Sequence, residues 1–301
     1  MALAYTEIDS NKRNSVILMI FSIAVIIGLG YVFSMAMQDD TYTLVWVAIA
    51  ISLFSTLISY YQGDKIALWS SGAKPIAKAD NPEIFRLVEN LAIAAGLPSP
   101  KIYIIEDPAI NAFATGRKPE LATIAVTTGA IQKLEKTELE GVLAHELSHI
   151  GNYDIRFEML VAVMVGAIAI MANIFLRSRF FFGGRRSSRD EGANQIAMIF
   201  VVAGIVLAIL SPLIAELIKL AVSRKREYLA DASGALLTRY PAGLAGALKK
   251  IANDNLATTN ASTATAHLYF TNPFKTGGFR NLFSTHPPLE ERIKKLTGMA
   301  G

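Results

Sequence analysis

The chain of 301 residues contains no cysteine. That absence excludes a disulfide framework, a thiol nucleophile and any cysteine-ligated zinc or iron–sulfur centre. Charge is also scarce. Only 18% of the residues are charged, against about 25% in an ordinary soluble domain. With 52% hydrophobic residues and a mean hydropathy of +0.38, disorder is excluded and a membrane is indicated. Repeats and long blocks of one charge are lacking too. The net charge of +4 is small, and the basic residues cluster beside apolar runs. They read as membrane-flanking charges and not as a nucleic-acid surface.

What is present in quantity is apolar sequence. Four runs carry no charge: Val16–Met37, Thr41–Tyr61, Met159–Leu176 and Gly192–Ala215, of 22, 21, 18 and 24 residues. Each is close to the roughly 20 residues that cross the hydrocarbon as a helix. The first run is too long for a cleaved signal and is followed at once by a second, so it reads as a retained span. Lys12 and Arg13 precede it, and Gln38-Asp39-Asp40 follows. The positive-inside tendency then puts the N-terminus in the cytoplasm. The pattern divides the chain into four parts. Residues 1–61 form an N-terminal transmembrane hairpin, and 62–155 a soluble α+β segment. Residues 156–222 form a second hairpin with a basic loop, 177–194. Residues 223–301 form a C-terminal helical segment. The loop holds Arg177, Arg179, Arg185, Arg186 and Arg189, which sit poorly outside the membrane. Either the cytoplasmic charges outvote them or this pair is not a simple spanning hairpin.

In the soluble segment, Asn81-Pro82-Glu83 and Gly96 bracket a capped helix. Lys101–Glu106 and Leu121–Thr128 are β-branched runs that predict strands. Thr137 and Glu140 fit a capping box opening a helix over 137–150. Ala257–Ala266, rich in Thr, Ala, Asn and Ser, predicts a mobile loop.

The chemistry lies in His145-Glu146-Leu147-Ser148-His149. Four residues turn a helix through about 400°, so the two imidazoles lie about 40° apart on one face, one turn of rise apart. Both can ligate one Zn²⁺, with Glu146 on the flank as general base toward a water. Histidine is scarce, four in all, and two of the four are here. A catalytic zinc commonly takes a third protein ligand. Asp154 is badly placed for that role if the helix continues, because five residues turn it about 140° away from His149. Glu227 is the candidate, with Asp231 one turn on, sharing its face and orienting a histidine. The competing reading is two solvated acids paired with Arg224 or Arg226. His286, ahead of Pro287 and Pro288, reads either as an oxyanion donor or as a surface histidine. His267 has no such context and reads as structural.

HELSH ahead of an apolar run, then REYLADASG, then STHPPLEERI resembles the HtpX-like membrane zinc metalloproteases, whose wider family includes the CAAX prenyl endopeptidases. NAFATG ahead of a strand supports the likeness, which covers nearly the whole chain. The resemblance implies His145, His149 and Glu227 as ligands of one Zn²⁺ per chain, Glu146 as acid/base and Asp231 as a support behind the ligands. It also implies a catalytic-side role for His286. The expected fold is a mainly α integral membrane protein with four transmembrane helices and an α+β gluzincin-like metalloprotease domain. It further implies a multi-pass cell-membrane (inner-membrane) enzyme, its catalytic domain cytoplasmic. Its substrates would be misfolded or damaged membrane polypeptides, with a stress link. An extended substrate would pair with Asn111, Ala112 and Phe113 in the Asn111–Gly116 segment, or with the strand Leu121–Thr128. Three rivals differ in what the metal motif serves: a prenyl-type processing protease, a non-enzymatic chaperone or scaffold, and a transporter. The four runs hold no acidic or basic residue, which speaks against the last.

Overall fold

The architecture is taken from a computed structural model, which describes residues 2–36, 41–165, 223–259, 261, 265–274 and 287–299. Two long helices come first, α1 (Ala2–Ala36) and α2 (Thr43–Ser70). They contain the two stretches long and apolar enough to span a membrane among the described residues, Ile8–Gly28 and Val45–Ser70. Most of their side chains face outward, among them Ile20, Trp46, Phe54 and Leu57. Outward apolar surface on this scale suits lipid and not water. Helix α2 runs nine residues beyond Tyr61, the expected end of the hairpin, to Ser70. Its last turn docks on the soluble part, where Ala67 and Leu68 pack with Ile105 and Phe113.

A small sheet follows, with β1 (Lys74–Pro75), β2 (Lys101–Ile105), β3 (Ala112–Thr115) and β4 (Thr123–Thr127) in the order β1-β2-β4-β3. Strands β2 and β4 are parallel, and β3 pairs antiparallel with β4 on the outside. Both predicted strands therefore form. However, Leu121–Thr128 supplies a central strand, bonded on both sides, so it has no edge to offer a substrate. Helix α3 (Pro82–Ala95) starts and stops on its predicted signals. The Asn81 side chain accepts from Ile84 N–H, and Gly96 ends it at φ 65°. It buries Ile84, Leu87, Val88 and Leu91.

The short α4 (Thr128–Lys133) leads into α5 (Lys136–Gly151), the helix that carries the histidines. Its capping box is Glu135 with Glu138, two residues ahead of the expected Thr137–Glu140 pair. A glutamate here accepts the free N–H groups and also faces the positive helix end. After a two-residue turn the chain is helical again from 154 to 165 (α6). This reaches into the third apolar run, and Leu18 of α1 packs against Phe157, Leu160 and Val161 there. The rest of that run, the loop 177–194 and the fourth run lie outside the described residues. Helices α7 (Arg224–Thr238), α8 (Pro241–Asn253) and α9 (Leu289–Met299) complete the domain.

The core lies between the sheet, α3, α5 and α8, and holds Ile124, Val126, Leu143, Leu147, Leu244 and Leu248. Helix α5 is thus buried on nearly all sides. The start of the predicted mobile loop is pinned instead. Thr259 donates its N–H and hydroxyl to Asp107 at 2.7 and 2.6 Å, and Thr258 N–H bonds the Pro273 carbonyl at 3.0 Å. Thr259 itself stays exposed while its two donors satisfy the buried Asp107 carboxylate, and the buried Thr258 anchors the backbone beside it.

Candidate metal centre

His145 and His149 project from one face of α5 with their rings 4.7 Å apart and their Nε2 atoms 3.1 Å apart. Helix α7 crosses over that face. Glu227, Asp231 and Gly234 are spaced four and three apart, so they share one stripe of α7. Gly234 permits the close crossing, because a Cβ there would stand 3.0 Å from the backbone nitrogen of His145. The crossing brings Glu227 Oε2 to 3.8 Å from His145 Nε2, and Oε1 to 3.7 Å from His149 Nε2. One ligand atom from each of the three residues lies within 4.8 Å of the others, and all three residues are buried. Tetrahedral zinc at about 2.0–2.2 Å from each ligand sets its ligands roughly 3.4 Å apart. The cluster matches that spacing. Two imidazole nitrogens and a carboxylate facing one another, buried, form a cation site by their chemistry.

The far sides of the rings are held as well. His145 Nδ1 lies 3.0 Å from Asp231 Oδ1. His149 Nδ1 lies 2.9 Å from Asp154 Oδ2. Each carboxylate fixes a tautomer with the proton on Nδ1, which turns the Nε2 lone pair toward the centre. Asp154 was not foreseen in this role. Its reach depends on a break in α5 after Gly151, where Tyr153 takes a left-handed φ of 61° and folds the chain back. Arg292 was not foreseen either. It is 0% exposed and forks onto Asp231, with Nε–Oδ2 at 2.8 Å and Nη2–Oδ1 at 2.7 Å. Its Nη1 lies 3.7 Å from Glu227 Oε2 and 3.3 Å from the Phe270 carbonyl. The only local signal was a lone arginine on an otherwise ordinary amphipathic helix.

Electrostatics separate the two histidines. Burial is the main cause that lowers His145, to about 4. Burial opposes charge on His149 too, yet the hydrogen bond to Asp154 and the nearby carboxylates raise it to about 10. Burial would likewise raise Asp231, but Arg292 and His145 hold it well below the usual carboxylate range. Glu146 is 1% exposed, and burial, helped by Glu227, raises it to about 7. Its Oε1 has no hydrogen-bond partner among the described residues. The Ala114 N–H is directed at its carboxylate.

Strand β3 borders the site. In an antiparallel edge strand alternate residues turn their N–H and C=O outward, here Ala112 and Ala114. The Ala112 carbonyl accepts from Phe270 N–H at 2.8 Å. The Asn111 side chain bonds both the carbonyl and the N–H of Thr271, at 3.1 and 3.3 Å. Phe113 stacks edge-on against Tyr269 at 5.2 Å. The three predicted substrate residues thus lie together beside the site, with the segment 269–271 along them. His267 is structural, its Nε2 at 3.0 Å from the Glu158 carbonyl. His286 lies outside the described residues.

Comparison with known proteins agrees with this geometry. A model of peptidase family M48 matches residues 78–300. A protease HtpX homolog of Dictyoglomus thermophilum is 44% identical over 98% of this chain and 94% of its own length. One from Lactobacillus acidophilus is 43% identical over 98% of this chain and 99% of its own length. The crystal structure of S. mikatae Ste24p superposes with a TM-score of 0.51 at 21% identity. That match covers 93% of this chain and 65% of the Ste24p chain, and it speaks for the fold.

Proposed function

The chain belongs to peptidase family M48, among the HtpX-like membrane proteases, and from that premise we propose that it is a zinc-dependent endopeptidase of membrane polypeptides. One observation carries the reading. The buried His145–His149–Glu227 cluster stands beside a buried glutamate with a free carboxylate oxygen. The ligand set is His145, His149 and Glu227, for one Zn²⁺. A zinc ion held there supplies Lewis acidity to a water and to the scissile carbonyl.

This chain's residues supply the rest. Glu146, raised to about 7, takes the proton of the attacking water on Oε1 and returns it to the leaving amine. Asp231 and Asp154 keep the Nδ1 protons in place, so each Nε2 stays a donor of its lone pair. Arg292 balances the charge of Asp231 and Glu227 in the buried site. The substrate lies extended along β3, where Asn111, Ala112 and Phe113 form the start of the binding edge. To pair there it exchanges with the Phe270 N–H now on Ala112. Backbone pairing reads no particular side chain, which suits unfolded segments of many sequences. His286 is assigned to the oxyanion from its place in the THPP motif.

The membrane placement follows from the same residues. Helix α5 leads within three residues into α6 and the third apolar run, and Glu227 follows the fourth. This supports a site at the membrane surface, and the reading adds a cytoplasmic side from the charge pattern, four spans in all and a gluzincin-like domain. The proposed division of the chain remains the four sequence-defined parts, 1–61, 62–155, 156–222 and 223–301. Quality control of damaged membrane proteins under stress is the biological role that fits such a site. The test is cleavage of an unfolded membrane protein and of a prenylated tail peptide by the full chain, before and after chelation. Cleavage of the unfolded protein, abolished by chelator and restored by zinc, supports the proposal. Cleavage of the prenylated tail alone assigns it to processing instead. Cleavage untouched by chelator removes the metal from the mechanism.

A further inference from the structure

The metal site has a support that its own domain does not supply. Asn11 sits near the start of α1, five residues before the first apolar run, and is 1% exposed. Its Nδ2 donates to Asp154 Oδ1 at 2.6 Å and to the Asn152 carbonyl at 3.0 Å. The other oxygen of Asp154 holds His149 Nδ1 at 2.9 Å. Asn11 and Asp154 are 143 residues apart in sequence, so chain connectivity does not force this contact.

The surroundings fasten the same turn. Lys12 Nζ stands 4.4 Å above the ring of Tyr153, and the Arg156 guanidinium lies 5.1 Å from that ring. Ser15 donates its hydroxyl to the Asn11 carbonyl at 2.8 Å. Arg226 Nε lies 3.5 Å from Asp154 Oδ1, too long for a strong hydrogen bond. Among the described residues the short contact to Asp154 Oδ1 is the one from Asn11. The residue type fits the task. An amide can give one proton to a carbonyl and one to a carboxylate, and it adds no charge beside Asp154. An aliphatic side chain of that size would leave a buried carboxylate oxygen short of a donor.

We propose that Asn11, on the first membrane helix, is a positioning residue for the metal site: through Asp154 it fixes the ring of His149, so docking of the membrane hairpin completes the site. The proposal rests on the reading of His145, His149 and Glu227 as metal ligands. It makes metal retention depend on a helix that contributes no ligand. Loss of such a support behind a histidine ligand typically costs 10- to 100-fold in metal affinity.

The experiment uses the full chain in detergent, with zinc affinity read by chelator competition. The visible spectrum of the Co²⁺-loaded chain is the second readout. The variants are Asn11→Leu, Asn11→Ala (which adds no bulk if Leu misfolds), Asp154→Asn, and Asn11→Ala with Asp154→Asn together. Asn14→Leu is the control on the same helix, since among the described residues Asn14 reaches only Ser10, at 3.5 Å. The expected result is a zinc affinity about 10- to 100-fold lower for either Asn11 variant, with an altered cobalt spectrum and no change for Asn14→Leu. The double variant loses no more than Asp154→Asn alone, because both changes act through one carboxylate. Asn11 variants with wild-type affinity and spectrum overturn the proposal, as do additive losses in the double variant. A wild-type chain that takes neither metal overturns the ligand assignment itself, and this inference with it.

Discussion

Two imidazole nitrogens 3.1 Å apart cannot both present lone pairs without a cation between them. In the metal-free chain a proton on His149, raised to about 10, bonds to the neutral His145, lowered to about 4. Zinc must displace that proton. Below pH 10 the free site is protonated, so zinc affinity should rise with pH across pH 6 to 8, close to tenfold per unit. Chelator competition at several pH values measures this, and an affinity flat over that range would refute the shared proton. Arg292 makes a second residue-scale prediction. Its removal in Arg292→Leu leaves Asp231 charged and buried without its cation, at a cost of about 3–5 kcal/mol. A thermal melt of the metal-free chain in detergent should show a markedly lower midpoint. Arg292→Lys should recover only part of the loss, since it keeps charge but not the fork. An unchanged midpoint would mean the pair contributes little.

At the scale of elements, the site is a crossing of α5 and α7, and Gly234 sets how close they come. Gly234→Ala puts a methyl 3.0–3.2 Å from the backbone of Ala144 and His145, atoms that cannot step aside. Helix α7 must back away, at a cost of about 1–3 kcal/mol, and Glu227 moves with it. Zinc affinity and thermal stability should fall together. Gly298→Ala is the control, because nothing stands within 4 Å of its new methyl. A Gly234→Ala chain with normal zinc affinity would show that Glu227 does not depend on this crossing.

The elements also show what a sequence can reveal. His145, His149, Glu227 and Asp231 were legible because each pair is four residues apart on one helix, and the helical period brings them to one face. Asp154 was set aside as a ligand on the same arithmetic, which assumed a helix running on past Gly151. Its actual partner, His149 Nδ1, becomes reachable only through the left-handed turn at Tyr153. Arg292 and Asn11 were illegible because their roles come from contacts 61 and 143 residues away. The strands were legible from β-branched runs, but their order was not. Only the pairing shows that β4 is central and β3 is at the rim.

Across the whole molecule, the hairpin and the protease domain form one unit through Asn11, Leu18 and the end of α2. The lack of native cysteine makes its topology directly measurable, since any introduced thiol is the only one in the chain. Single substitutions Ser10→Cys and Gly298→Cys should react with an impermeant maleimide only after the cells are opened. Asp39→Cys should react from outside in intact cells. Ser187→Cys, in the basic loop, should also react from outside if the third and fourth runs both cross. Labelling of Gly298→Cys in intact cells would put the catalytic domain on the wrong face.

The most direct test of the central claim is unfolded-protein cleavage by the zinc-loaded full chain, wild type against Glu146→Gln, with zinc content measured on both. The amide keeps the size and leaves His145, His149 and Glu227 in place, while removing the group that takes the proton. The account predicts one zinc in each protein and cleavage by the variant reduced at least about 100-fold. Equal cleavage by both would contradict Glu146 as the base and the site built around it.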